Sequence, residues 1–169
     1  MSSRPRMGRD MSAQPSENSS AEPDSENRRR DVHVSIVTGD RLVYDGPADR
    51  VIVPSIEGQI AILPYHAPLL AAIEPGELRL VRGEREESFS VGGGFVEVLD
   101  NDVTVLADSA ERPEEIDVAR AEAARRRARI LVRRYRGRPA SAAAVQALRR
   151  SRARLKVARR LRTRSSRSA

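Results

Sequence analysis

Alternating apolar and polar residues dominate the stretch from Asp31 to Ala107. Apolar side chains recur at every second position, as at Val32, Val34 and Ile36, which is the period of a half-buried strand. Five turn signals separate the runs: Thr38-Gly39-Asp40, Asp45-Gly46-Pro47, Glu74-Pro75-Gly76, Arg82-Gly83-Glu84 and Asp100-Asn101-Asp102. Strands this closely spaced leave no room for intervening helices, so the pattern predicts an antiparallel β-sandwich or barrel over residues 31–108.

Beyond residue 108 the apolar period becomes helical. Glu111-Arg112-Pro113-Glu114-Glu115 is typical of a helix start, because a proline and acidic side chains suit the first turn. Gly137 and Pro139 are expected to end this helix, and Ser141 to cap a second one. The predicted facing residues are Ala121, Ala124, Ala128 and Leu131 on one helix and Ala144, Leu148, Leu155 and Ala158 on the other. The pattern therefore predicts an antiparallel two-helix hairpin over residues 109–162, with an alanine-rich seam that can open.

The two ends of the chain have a different composition. Residues 1–30 are rich in Ser, Pro, Asn and charge, and nearly lack large apolar residues. Such a segment buries too little surface to offset its ordering entropy, so we predict a disordered extension. The same prediction applies to a short tail over residues 163–169.

Charge divides the chain more sharply than its net value of +7 suggests. Residues 31–117 carry six arginines and 18 acids, a balance of −12, whereas residues 118–169 carry 18 arginines, one lysine and one acid, a balance of +18. A cationic arm behind an acidic body indicates an interaction segment. Its partner is either nucleic acid, with strongly salt-dependent binding, or an acidic protein surface. Tyr135 is the one aromatic residue in the arm, which offers little base stacking.

No pattern in the sequence points to an enzyme active site. The chain has no cysteine and two histidines, so thiolate metal sites and His-rich clusters are excluded. Gly92-Gly93-Gly94 precedes a strand and not a helix, which favours a bulge or turn over a phosphate-binding loop. His66 stands without a nucleophile beside it. No apolar run approaches the roughly 20 residues that span a bilayer.

Several motifs in order resemble the epsilon subunit of the bacterial F-type ATP synthase. They are GQIAILPYHAPLL (58–70), EPGELRL (74–80), VGGGFVEV (91–98), VTVLAD (103–108) and AERPEEIDVARAEAA (110–124). The similarity covers about residues 31–161, and residues 1–30 match nothing in that family. The resemblance implies a non-catalytic central-stalk, or rotor, subunit that couples proton flow through the c-ring to ATP synthesis. A nucleic-acid-binding protein remains the alternative function.

The resemblance also implies partners and a location. The sandwich would contact the gamma subunit and the c-ring, and the hairpin would either fold beside the sandwich or extend toward the catalytic beta subunits and restrain ATP hydrolysis. The cationic arm would then meet acidic segments of those beta subunits and no nucleic acid. The implied location is the cytoplasmic side of the cell membrane, as a peripheral protein held through the complex. The residues that we expect to carry the inhibition are Arg149, Arg150, Arg152 and Arg154.

Two loops match the c-ring-contacting end of the family's sandwich. They carry Glu57 and Gln59, and Tyr65 and His66. Two departures are visible: the family often has Pro-Gly-His where this chain has Pro64-Tyr65-His66, and Gly-Glu-Leu-Gly where it has Gly58-Gln59-Ile60-Ala61. The missing glutamate weakens the expectation of charge pairing at position 59.

A further resemblance concerns nucleotide. Some bacterial epsilon subunits bind regulatory ATP through an Ile/Leu-Asp-x-x-Arg-Ala motif and arginines on both helices. The matching residues here are Glu111, Ile116, Asp117, Arg120, Ala121, Arg127, Arg150 and Arg154. Glu122 stands where the ATP-binding members often have lysine. Two interpretations stay open: a regulatory ATP site, or a motif that serves helix start and packing alone. The resemblance implies no required cofactor and no metal.

Overall fold

The computed structural model describes residues 31–135 and 140–165, with side chains as far as Arg160. The predicted extension over residues 1–30, the predicted helix-ending Gly137 and Pro139, and residues 166–169 of the predicted tail lie outside the described residues.

Within the described residues, eight strands form the body of the molecule and two helices follow them. The strands are β1 (Val32–Val37), β2 (Leu42–Ala48), β3 (Arg50–Ser55), β4 (Gly58–Ile62), β5 (Leu69–Arg82), β6 (Arg85–Leu99), β7 (Asp102–Ala107) and β8 (Ala110–Glu111). Their order in the sheet is β2-β1-β7-β6-β5-β3-β4, with β8 paired to β6. One pairing, β1 with β7, is parallel, and the other pairings are antiparallel. The predicted β-sandwich followed by a helical hairpin is confirmed.

The long strands β5 and β6 each change face halfway along their length. In β6, Phe89 and Val91 are buried before the glycine triplet, and Val96 and Val98 are buried after it. The inward positions thus switch from odd to even numbers across Gly92-Gly93-Gly94, where Gly93 and Gly94 have φ of 115° and 130°. The triplet is a bend inside a strand, and it lets one sheet cover both sides of a single core.

Two of the five predicted turns are wrong. Glu74-Pro75-Gly76 lies within β5, where Pro75 pairs with Gly92 at the bend. Asp45-Gly46-Pro47 lies within β2, where Pro47 pairs with His33. Because β2 is an edge strand, the missing N–H of Pro47 leaves no ladder position unsatisfied. The other three predicted turns lie between strands.

The stretch 58–70 forms β4, a corner and the start of β5. Ile62 is fully buried, whereas Leu63, Tyr65 and Leu70 are exposed. The corner therefore closes one end of the core and presents its larger side chains outward. Tyr65 has φ of 64°, a left-handed conformation that its N–H stabilises by donating to Asn101 Oδ1 at 2.6 Å.

The hairpin starts later than its sequence pattern predicts. Pro113–Glu115 forms a short 3₁₀ turn that ends at the extended residue Ile116. Asp117 then caps α1 (Val118–Arg134), its Oδ1 accepting from the Arg120 N–H at 2.9 Å. Because β8 pairs with β6, the sheet reaches Glu111, beyond the predicted boundary at 108.

The second helix, α2 (Ala142–Ser165), extends past the predicted end at residue 162. Ser141 caps it as predicted, with its hydroxyl oxygen accepting from the Ala144 N–H at 3.3 Å. Most of the predicted facing alanines are buried, but Leu131 is exposed and does not belong to the seam. The seam consists mainly of small side chains, so the area that it buries is small.

Candidate functional site

Helix α2 lies on the outer face of the sandwich, over the adjoining parts of β5 and β6. At this level Leu78 faces the core opposite Phe89, so the strand alternation turns Glu77, Ser88 and Ser90 outward. These three polar residues are nevertheless buried. The sheet face beneath α2 is thus polar, a composition that tolerates water if the helix leaves.

Carboxylates on the sandwich meet cations along α2. Glu74 contacts Arg149, and Glu77 contacts both Lys156 and Arg160. Arg160 also reaches Glu86, with 2.6 Å between Nη1 and Oε1. The sequence pattern did not single out Glu74, Glu77, Lys156 or Arg160. The alternation in Glu77-Leu78-Arg79-Leu80 places Glu77 outward, but only the tertiary fold shows that a helix covers it.

The predicted nucleotide residues surround a cleft of about 350 Å³ between α1, α2 and the β8 segment. Six of the eight line it: Glu111, Asp117, Arg120, Ala121, Arg127 and Arg154. Ile116 instead belongs to the small apolar cluster with Ala121 and Leu155. Arg150 precedes Arg154 by one turn on the same side of α2 but is not among the lining residues.

Most acidic groups at this cleft already have partners. Glu111 accepts two hydrogen bonds from Arg154, at 2.6 and 3.0 Å, and Asp117 accepts from a backbone N–H. Within the part of the chain that the structure describes, the guanidinium groups of Arg120 and Arg127 have no side-chain partner. Two uncommitted cations therefore line the cleft, which suits an anionic ligand.

Glu115 joins the hairpin to the β1–β2 connection. Its carboxylate accepts two hydrogen bonds from Arg41, at 2.8 and 3.0 Å, which lower the pKa of Glu115 below its ordinary value. A lowered carboxyl pKa in the folded state stabilises folding above the unfolded-state pKa, and the contribution is lost as the pH falls through the folded-state pKa. The pair thus anchors the start of the hairpin at neutral pH.

The predicted c-ring residues lie in two separate surface regions. Glu57 is in the β3–β4 turn and Gln59 is the second residue of β4, and both are exposed. Ser55, just before that turn, pairs with Ile73 in the middle of β5. Tyr65 and His66 are in the corner before β5, which the Tyr65 hydrogen bond ties to the β6–β7 turn. His66 donates from Nδ1 to the Ala67 carbonyl at 2.7 Å, so its ring orientation is fixed.

Two of the four arginines of the predicted basic arm form ion pairs in this compact arrangement. Arg149 pairs with Glu74 and Arg154 with Glu111, whereas Arg152 is exposed. Arg150 is half-buried. The four arginines are thus not equivalent here, because two of them have carboxylate partners on the sandwich side.

A row of apolar side chains crosses a second outer face of the sandwich, among polar neighbours such as Ser35, Glu97 and Thr104. Strand register aligns Ala72 with Phe95, Phe95 with Leu106, and Leu106 with Val37. Phe95 and Leu106 are each 56% exposed. We call the row Val37, Ala72, Phe95 and Leu106 the outer stripe. Its sequence signal was present, since Phe95 and Leu106 occupy outward positions in alternating strands, but it was not recognised as a surface.

Comparison with known proteins identifies the family. Residues 31–113 match the model for the beta-sandwich domain of the ATP synthase delta/epsilon chain. An ATP synthase epsilon chain from Herpetosiphon aurantiacus is 46% identical over 127 residues, which are 75% of this chain and 93% of the relative. One from Dehalococcoides mccartyi is 48% identical over 74% of this chain and 90% of its own length. The chain belongs to the ATP synthase epsilon-chain family.

The fold agrees with this assignment. A chain in the Euglena gracilis mitochondrial ATP synthase structure containing OSCP, F1 and the c-ring superposes with a TM-score of 0.57 at 21% identity, covering 79% of this chain and 81% of that chain. Family membership confirms the sequence resemblance and the predicted role as a rotor subunit of ATP synthase, in preference to a nucleic-acid-binding protein.

Two further features concern residues 31–135 and 140–165. No group of three or more His, Asp or Glu side chains there is placed to hold a metal ion. No helix within the same residues is long and apolar enough to cross a membrane.

Proposed function

We propose that this epsilon-family chain is a non-catalytic rotor subunit whose sandwich binds the gamma subunit and the c-ring, while its helical arm restrains ATP hydrolysis. The observation that carries the proposal is the contrast between two outer faces of the sandwich. One face is polar where α2 covers it, and the other carries the outer stripe, whose Phe95 and Leu106 are exposed. An exposed apolar stripe suits a permanent partner, whereas a polar interface suits an arm that detaches.

The permanent partner in this proposal is the gamma subunit, bound at the outer stripe. The β3–β4 hairpin with Glu57 and Gln59 and the corner with Tyr65 and His66 face the c-ring. The complex holds the chain at the cytoplasmic side of the cell membrane. The cations of α2 meet acidic segments of the catalytic beta subunits when the arm extends. The charge of the arm, +18 over residues 118–169, favours such an acidic partner.

Binding to gamma tests the role of the outer stripe. Replacing Phe95 and Leu106 with threonine keeps β-propensity but removes the two large, exposed apolar side chains of the row. We expect the Kd for the purified gamma subunit to rise about tenfold or more, since truncation of buried interface anchors has effects of this size. Val118→Thr removes an exposed apolar side chain on α1 and should leave that Kd unchanged. A folded double variant with unaltered gamma affinity would place the gamma interface elsewhere.

Regulatory ATP is the second part of the proposal. The cleft between the helices would hold the phosphates near Arg120 and Arg127, while Arg154 stays positioned by Glu111 and Asp117 keeps the start of α1 in place. Arg150 would approach from the next turn of α2. Because such a ligand contacts both helices, its binding stabilises the compact hairpin by linkage.

Calorimetry with ATP on the full chain tests this site. We expect heat of binding and a thermal shift at millimolar ATP. Arg127→Gln should lower the affinity for ATP about tenfold, because charge-assisted contacts to phosphate are strong. Arg129→Gln changes an exposed arginine of the same helix that does not line the cleft, and should not alter the affinity. Absence of both heat and thermal shift in the unaltered chain would leave the motif with a structural role alone.

A further inference from the structure

We propose that Glu77, Lys156 and Arg160 form a latch that holds the arm against the sandwich and sets how often the arm is released. The Glu77 side chain is 1% exposed although it belongs to the outer face of β5. Its contacts with cations, to Lys156 at 2.8 Å and to Arg160, both come from α2. A carboxylate is costly to bury without such partners, so this one is stable beneath the helix only while both cations stay in place.

Helix geometry aligns the latch with a third ion pair. Arg149, Lys156 and Arg160 are spaced by seven and four residues, which places them on one face of α2. Along that face they meet Glu74, then Glu77, then Glu77 together with Glu86. A shift of α2 by one turn would put Val145 or Ala153 at the position of Arg149 and so break its pair with Glu74. Lys156 and Arg160 are four residues apart, so one of them would still meet Glu77 after such a shift. The Arg149–Glu74 pair therefore specifies the register of the arm, and the latch supplies the hold.

The apolar cluster of α2 lies within the hairpin, and toward the sheet the small side chain of Ala153 lines a pocket with Pro54 and Pro75. The apolar cluster that includes Leu155, Val157 and Ala158 joins α2 to Ile116 and Ala121, which are residues of the hairpin and its leading segment. The sheet face under α2 instead presents Glu77, Ser88 and Ser90. Opening the arm would expose polar groups that water can solvate, including the Glu77 carboxylate. The latch thus opposes a release that has little hydrophobic cost.

The compact and extended states compete for some of the same cations. Arg149 and Arg154 have carboxylate partners on the sandwich side here, and both belong to the proposed inhibitory arm. Lys156 and Arg160 add two cations that serve the compact state. The inference deepens the proposed function, because the latched segment is the segment proposed to restrain hydrolysis. The latch is tested on the isolated chain, whereas the rotor role is tested by binding to the gamma subunit. Either proposal can therefore be overturned while the other stands.

Fluorescence energy transfer measures the latch directly. The chain has no cysteine, so Glu84→Cys and Ala143→Cys provide two labelling sites, both exposed. Arg160 contacts Glu86, which is two residues from Glu84, so this end of α2 lies near the first label in the compact state. The helical rise of 1.5 Å per residue places Ala143, the second label, about 25 Å along α2 from Arg160. In that background we expect Glu77→Gln to lower the ratio of compact to open molecules about three- to tenfold.

A variant pair on the helix keeps the test decisive if Glu77→Gln unfolds the sandwich. Lys156→Gln with Arg160→Gln changes α2 alone and should give a similar decrease. Combining it with Glu77→Gln should add little, because the three side chains form one contact. Glu97→Gln, an exposed carboxylate elsewhere on β6, is the matched control and should not change the ratio. An unchanged ratio in the folded helix variant, measured by circular dichroism and energy transfer together, would overturn the latch.

Discussion

ATP hydrolysis by the assembled ATP synthase should rise about fivefold or more when Arg149, Arg150, Arg152 and Arg154 are all replaced by glutamine. In the extended state these cations would meet an acidic groove, and their removal lowers the charge of the arm from +18 to +14 along one segment of α2, which weakens that attraction. Coupling between distinct sites typically amounts to about 1–3 kcal/mol, or about 5- to 150-fold. The measurement is the steady-state hydrolysis rate of the reconstituted complex, with subunit content checked to show that assembly is intact.

The matched control replaces the same four arginines with lysine. It keeps the charge, so the inhibition should persist, whereas loss of inhibition in this variant would point to guanidinium geometry and not to charge. Added salt should raise hydrolysis in the unaltered complex, because exposed charges are screened over about 8–10 Å. Hydrolysis that stays constant in the glutamine variant and across the salt series would show that the charge of the arm does not carry the inhibition.

One of the four arginines separates the inhibition of hydrolysis from the release of the arm. Arg149 and Arg154 have compact-state partners, and Arg150 and Arg154 belong to the proposed ATP site. Their replacement therefore alters the release of the arm as well as its binding. Arg152 is exposed and has no side-chain partner among the described residues. Arg152→Gln should raise hydrolysis with the smallest effect on the compact state.

The sequence predicted the parts of this fold that depend on local periodicity. Alternation identified the strands, and Ser141 identified the start of α2, because strand faces and helix caps are determined by neighbours in sequence. The parallel pairing of β1 with β7 was not predicted. These strands are about 65 residues apart, and no local signal specifies which distant strands pair.

Proline and glycine were the least reliable signals. Asp45-Gly46-Pro47 and Glu74-Pro75-Gly76 have the composition of turns, but both lie within strands. Pro47 is allowed because β2 is an edge strand, and Pro75 because β5 bends there. Whether a strand is at an edge or bends depends on the tertiary fold, which explains why composition alone gave the wrong answer.

The departure at Tyr65 shows how a resemblance can carry geometric information. The family often has glycine at this position, and here the tyrosine has φ of 64°. Glycine adopts that conformation without steric cost, whereas tyrosine needs the compensating hydrogen bond to Asn101. The identity of the candidate c-ring loop was predicted, but the interaction that supports its shape was not.

For the site, the sequence located the cleft but not the latch. Six residues that the family motif indicated came together at the cleft: Arg120, Ala121 and Arg127 through the helical period of α1, Asp117 as its cap, and Glu111 through its ion pair with Arg154. Glu77 was not recognised because its sequence neighbourhood is that of an ordinary solvent-facing strand position. Its burial depends on α2, a helix some 70 residues further along the chain, so no pattern near Glu77 could indicate it.

The glycine bend of β6 leads to the largest stability effect that we expect. Replacing Gly94 with alanine would place a methyl group 2.1 Å from the Leu106 carbonyl oxygen and 2.9 Å from the Ala107 Cα, both backbone atoms of the paired strand β7. The residue also has φ of 130°, which is unfavourable for alanine. We expect a loss of more than about 4 kcal/mol in the free energy of unfolding, a size confined to specific structural causes such as this one.

Gly58→Ala separates the two causes. Gly58 has nearly the same φ, 128°, but a methyl group there meets no atom within 4 Å. It should therefore show backbone strain alone, about 1–3 kcal/mol. The chain has no tryptophan, so urea unfolding is best followed by circular dichroism. Since small domains are stable by about 5–15 kcal/mol, Gly94→Ala should lose a large part of its stability and unfold at a much lower urea concentration than Gly58→Ala. If the two variants lose the same free energy of unfolding, the need for glycine at position 94 comes from its φ alone. The close approach of β6 and β7 at Gly94 would then be contradicted.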